Sequence, residues 1–298
     1  MIRRWARPSW SSWALGGASL IAFAGFAWPL LAAAAPGDAQ AAVPFVALAL
    51  VPALVIAVAL TLDREMYTAQ TVALLGVLTA VGAAIRIAST GVGGVEAVFI
   101  LLILAGRAYG ARFGLLLGIL TIALSSAFWG GIGPWTPFQA FACGWVAAGA
   151  GLLPRIQLAT PRASSRLEVA MLVGYGIVAS YAFGLVMNLW FWPFAVGSGT
   201  GISYLPGAPL GQNLASFGLY SFVTSTLTWD TVRAVTSAVG ILLVGPAALA
   251  ALRRARIGAS GVTPRSIEPR GDGTRTRPST ARDAVAAPPT VRRPSARA

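Results

Sequence analysis

Eight stretches of this chain read as membrane crossings, and they constrain its fold more than anything else in it. No water inside a bilayer satisfies backbone N–H and C=O groups, so a crossing segment closes its own hydrogen bonds, as a helix does. A helical crossing needs about 20 mostly apolar residues. Such runs lie at about 13–35, 41–62, 69–88, 95–108, 112–129, 135–153, 167–195 and 231–252. The fourth is short and is expected to pack inside the bundle. The expected fold is therefore all-α and polytopic, with about eight transmembrane helices. Composition agrees: 56% of the residues are hydrophobic and 10% charged, against roughly 25% charged in soluble domains.

The positive charges orient the bundle. Arg3, Arg4 and Arg7 precede the first run, and Arg64 follows the second. Arg107 and Arg112 separate the fourth and fifth, and Arg155, Arg162 and Arg166 the sixth and seventh. Arg253, Arg254 and Arg256 follow the last. An even count of crossings puts all of these on one side and leaves Arg86 and Arg233 on the other. The positive-inside rule makes the arginine side cytoplasmic, so the expected location is the cell membrane with both termini inside.

Two end segments are read separately. Arg3 and Arg4, an apolar run and the alanines at 32–35 also fit a secretory signal peptide; the run is long for one and contains Pro29. Residues 253–298 hold eleven arginines and three acidic residues among Pro, Ser, Thr and Gly. They read as a disordered cytoplasmic tail able to touch anionic headgroups. The expected division is 1–68 for two N-terminal helices, 69–252 for a membrane core, and 253–298 for the tail.

Absences exclude chemistries. The net charge is +13, yet every basic residue is arginine, with no lysine or histidine. A Walker A loop needs its lysine, so the chain is not itself a P-loop ATPase. Proteases that use histidine as base or metal ligand are disfavoured. So are nickel and cobalt sites. The basic balance sits in loops and tail and points to membrane lipid, not nucleic acid. Cys143, alone in an apolar run, reads as an inert thiol.

Candidate chemistry gathers on the side opposite the arginines. Arg86 and Glu96 flank a glycine loop, and Asp230 and Arg233 at i, i+3 can pair on one helix face. No carboxylate stands clearly at the middle of a crossing, which disfavours an ion-coupled pump. Trp129, Trp135, Thr136, Phe138, Gln139, Asn188, Trp190, Trp192, Tyr204, Asn213 and Tyr220 lie near the loops 89–95, 130–139 and 196–230. One reading is an interfacial aromatic belt. The other is a small-molecule site with aromatic walls and a few polar groups. The binding candidates are Arg86, Glu96, Trp135, Thr136, Gln139, Asn188, Trp192, Tyr204 and Asn213. On the third run, Ala69, Ala73, Gly76, Ala80 and Ala84 repeat at helical spacing; they suit either internal packing or docking of a partner.

Several of these segments together resemble a known family. The run from Ala69 to Arg86, the short span to Arg107, the decapeptide GGIGPWTPFQ at 130–139 and the GLLP at 151–154 resemble the substrate-binding subunits of energy-coupling factor (ECF) transporters. The TWDTVR at 228–233, followed by a helix ending LRR at 252–254, is similar to the last helix of actinobacterial members. The resemblance implies a six-helix core over about 69–256 that captures a vitamin from outside and is no enzyme. It implies a transmembrane coupling subunit and two cytoplasmic ATPase subunits as partners, and no cofactor. The family's Ala-x-x-x-Ala contact with the coupling subunit falls on Ala69 and Ala73, extended by Gly76 and Ala80. Two helices before the core depart from the family pattern. Cobalamin or a related corrinoid is the expected ligand, with thiamine precursors, folate, riboflavin and queuosine precursors as alternatives. Outside the resemblance, the chain also fits a self-contained secondary transporter or a lipid-modifying membrane enzyme.

Overall fold

The computed structural model describes residues 10–34, 45, 46, 49, 52, 68–89, 95–129, 131–156, 160–197 and 199–260. Among them every regular element is a helix. The run expected at 41–62 lies almost wholly outside the described residues, as does the chain beyond 260.

The elements follow the apolar runs with two differences. Helices α1 (Trp10–Phe26) and α2 (Trp28–Ala34) form one broken rod. Its break falls at Ala27, just before Pro29, whose ring cannot continue an α-helical hydrogen-bond ladder. There follow α3 (Ala69–Ser89), α4 (Val98–Tyr109), α5 (Ala111–Trp129), α6 (Thr136–Leu152) and α7 (Pro161–Ala195). The first difference concerns the loop expected at 196–230. It ends at Pro209, and α8 (Leu210–Ser221) begins there. A nine-residue π-helical segment, Phe222–Asp230, then leads without a break into α9 (Thr231–Ser260). The true loop is the part with positive-φ glycines, Gly199 and Gly207; beyond it Leu214, Phe217 and Tyr220 repeat at helical spacing. The second difference is that α9 carries residues 253–260, so the stretch read as tail is helical at its start.

Among the described residues, four stretches are long and apolar enough to cross a membrane: Ala69–Ser89, Ala111–Trp129, Ser164–Ala195 and Leu210–Ala255. The chain is thus an all-helical protein with the composition of a membrane protein. The twelve residues of α4 rise about 18 Å, short of the roughly 30 Å hydrocarbon core. As expected of a run lodged in the bundle, α4 is almost wholly buried.

Close packing of α5 on α6 depends on glycine. A methyl group on Gly118 would strike the backbone of Cys143 and Gly144, and one on Gly114 would lie 2.8 Å from the Ala147 carbonyl. Small residues let helix backbones meet in this way. Cys143 is buried in this seam. The first helices belong to the same core: Phe26 packs edge-on against Phe138 at 5.0 Å, and Trp28 donates its indole N–H to the Trp190 carbonyl at 2.9 Å.

Candidate functional site

Two charged clusters mark opposite ends of the bundle. At the arginine-rich end the last turn of α4 supplies Arg107 and the first turns of α7 supply Glu168. Arg107 Nε donates to Glu168 Oε1 at 2.8 Å, and its Nη1 and Nη2 donate to the Leu153 and Pro154 carbonyls beyond α6. Arg253 of α9 reaches the same carboxylate oxygen at 2.6 Å. Tyr109 donates to the Leu252 carbonyl at 2.7 Å. One carboxylate therefore joins α4, α7 and α9, and Arg107 extends the link to the chain leaving α6.

At the loop end the arrangement is reversed: one arginine joins two carboxylates. Arg233, near the start of α9, donates from Nε and Nη2 to both oxygens of Glu96 at 2.9 and 3.1 Å. Its Nη1 donates to Asp230 at 2.6 Å and to the Ser180 carbonyl at 3.2 Å. The expected i, i+3 pair is present. Glu96, 137 residues away in sequence, joins the pair in space. Arg233 is 5% exposed and Asp230 0%. The guanidinium lies over the Phe183 ring at 4.8 Å and near the Phe99 ring at 5.6 Å, where ring quadrupoles favour a cation. Asp230 fits against α7 because residue 184 is glycine; a Cβ there would collide with the carboxylate. With both carboxylates held by one arginine, neither stands ready as a general base.

The expected binding residues divide into three groups. Arg86 and Gln139 come together: Arg86 Nη2 donates to Gln139 Oε1 at 2.9 Å, and Nη1 to Ser125 at 3.0 Å. The Nε2 hydrogens of Gln139 find no protein acceptor among the described residues, and Trp135, 43% exposed, stands at the same end. Asn188 and Tyr204 lie on the far half of α7 and in the loop beyond it. Asn188 donates to Ser221 at 3.0 Å. Tyr204 packs on Trp28 and Trp192, and burial pushes its phenol pKa up.

In the third group the polar atoms make bonds within the protein. Asn213 is wholly buried, and its carboxamide makes paired bonds of 3.0 Å with the N–H and C=O of Leu205. Trp192, also wholly buried, donates to the Ile202 carbonyl at 2.7 Å. The Thr136 hydroxyl accepts from the Gly133 N–H at 2.9 Å and shapes the loop before α6. Glu96 is spent on Arg233. Short loops rich in glycine need such internal bonds, and sequence position alone does not distinguish a loop brace from a ligand contact.

Three features escaped the sequence. Trp28 sits under the aromatic group of the loop end. Trp190 stacks on Phe138 at 4.4 Å with a 5° interplanar angle, and its buried indole N–H has no partner among the described residues. Ser225 donates to Asp230 at 2.9 Å. The π-helical turn that permits this last bond has no sequence signature.

Among the described residues nothing covers the small-residue stripe of α3. Ala69, Ala73, Gly76, Ala80 and Ala84 are all exposed, and nothing lies within 4 Å of a Cβ placed on Gly76. No family model, curated protein or solved structure matches this chain.

Proposed function

We propose that this chain is the substrate-capturing membrane subunit of an ECF-type importer, taking a vitamin-sized ligand at the loop end. The observation that carries this reading is the uncovered stripe on α3. Small residues that served internal packing would be covered by neighbouring helices, as Gly114 and Gly118 are. On α3 no helix among the described residues covers them, and they stand at the positions where the resemblance puts the contact with a coupling subunit. A self-contained transporter or a lipid-modifying enzyme gives no reason for such a stripe.

The loop end supplies what capture needs. The Arg86–Gln139 pair and the exposed Trp135 ring stand at this end, and aromatic rings with few polar groups suit a bulky organic ligand such as a corrinoid. In this reading α1–α2, α4 and α6 join the four long stretches and the run at 41–62 as crossings, the arginine-rich end is cytoplasmic, and two ATPase subunits act there through the coupling subunit.

The test is a bulky substitution on the stripe. Ala73→Trp should abolish uptake of cyanocobalamin in cells that co-express the coupling and ATPase subunits, and should end co-purification with them. Equilibrium binding of cyanocobalamin to the purified chain should stay within about twofold. Uptake unaffected by Ala73→Trp would remove the docking assignment. Small molecules co-purified with the chain, identified by mass spectrometry, would name the ligand independently.

One observation favours a second reading. Asp230 is fully buried in the bundle, and intramembrane carboxylates often serve ion coupling. A self-contained transporter would move its substrate into liposomes holding this chain alone; an ECF subunit would not.

A further inference from the structure

The segment Phe222–Asp230 is a π-helix of nine residues. Such helices are rare, occur mostly as single-turn bulges and concentrate at functional sites. Its side chains carry the same period. Ser225 bonds Asp230, five residues on, at 2.9 Å, and Thr231 bonds the carbonyl of Thr226, five residues back, at 2.7 Å. In an α-helix, residues five apart are turned about 140° from one another around the axis, so the Ser225–Asp230 bond belongs to the π register. Asp230 is then fixed from outside the segment by Arg233, itself held by Glu96 of another helix start and by the Ser180 carbonyl. Gly184, lacking a side chain, leaves room for the carboxylate where it now sits.

The segment presents little else to hold it. Ser225 and Asp230 are its buried residues, while Phe222, Val223, Leu227 and Trp229 are all more than half exposed. It joins α8 to α9 without a break. α8 carries Phe217, packed on Trp192 at 5.5 Å, and ends in Ser221, the partner of Asn188. We infer that Ser225, Asp230 and Arg233 form a register latch that holds the π turns and so sets the face α8 presents at the loop end. Asp230 and Ser225 are positioning residues in this scheme. Its connection to ligand capture rests on the function proposed above; the latch itself does not.

The test reads α8 against α9 directly in the full-length chain. With Cys143 replaced by alanine, spin labels are placed at Leu214→Cys and Val239→Cys, both on exposed positions. Pulsed dipolar spectroscopy should give one narrow distance distribution. Rewinding the segment turns α8 and should move its label by up to about 10 Å, the width of a helix with side chains. Ser225→Ala with Asp230→Asn should shift or split the distribution, and Ser225→Thr, which keeps the hydroxyl, should restore it when Asp230 is intact. If the double variant does not fold, Ser225→Ala alone carries the test, because it removes one hydrogen bond and leaves the ion pair. An unchanged distribution in a folded variant overturns the latch. Cyanocobalamin binding on the same preparations separates the two proposals. A shifted distance with unchanged binding leaves the latch standing and detaches it from capture.

Discussion

The two charged clusters are near mirror images in composition and opposites in setting. At the arginine-rich end one carboxylate, Glu168, lies between Arg107 and Arg253, and the Arg253 side chain is 46% exposed. At the loop end one guanidinium, Arg233, lies between Glu96 and Asp230 and between two phenylalanine rings. The first cluster is buried at its Arg107–Glu168 pair, with side chains 6% and 13% exposed, and reaches water through Arg253. The second is buried at Arg233 and Asp230, with side chains 7% and 1% exposed, and reaches water through Glu96; a lone charge left at its buried side has no substitute for its partner. The difference teaches that similar ion-pair geometry carries different consequences: one is a fastening and the other a structural commitment.

Removing the central group of each cluster exposes that difference most strongly. Arg233→Met should cost about 3–5 kcal/mol, the usual penalty for stripping one partner from a buried pair, since it leaves Asp230 buried with only Ser225. Thermal unfolding in detergent, followed by the loss of a monodisperse peak, measures it. A variant as stable as the parent would mean that Asp230 is solvated and the loop end is open. Gly184→Ala comes next, at about 1–3 kcal/mol for overpacking, because its methyl displaces the Asp230 carboxylate without removing any charge. It should also widen the label distance across the π-helical segment, which separates a displaced latch from a merely crowded helix.

These sites differ in how far the sequence reveals them. The Asp230–Arg233 pair is legible, because i, i+3 spacing on a helix is a local rule. Its Glu96 partner is not, because a contact across 137 residues is set by how α4, α7 and α9 pack. The same holds for Arg107 and Glu168. Helix positions follow hydrophobicity and were mostly legible. The loop expected at 196–230 was overextended because its polar and aromatic residues masked the helical spacing of 210–221. Asn213 and Trp192 look like ligand contacts by type and location, yet their polar atoms are consumed by loop carbonyls and amides that no one-dimensional pattern displays. The α3 stripe was legible as a stripe. Only the structure decides which way it faces, and it is the covered glycines of α5 that give its exposure meaning.

The arginine-rich cluster supplies the smallest expected effects and the sharpest contrast. Glu168→Gln leaves Arg107 still donating to the Leu153 and Pro154 carbonyls, so no guanidinium is stranded, and the loss should be about 1 kcal/mol, a typical net hydrogen-bond contribution. Arg253→Gln removes only the exposed half of the cluster and should cost about 0–1 kcal/mol. Salt distinguishes them further. At 1 M ionic strength the screening length falls to about 3 Å, which should erase the Arg253→Gln difference while leaving most of that for Glu168→Gln, because the Arg107 side of the cluster is buried. Arg233→Met should be insensitive to salt throughout. Unfolding midpoints of the three variants at low and high salt measure this ranking. If Arg253→Gln proved as costly and as salt-independent as Arg233→Met, the arginine-rich cluster would be as dry as the loop-end cluster, and the contrast between a fastening and a commitment would collapse.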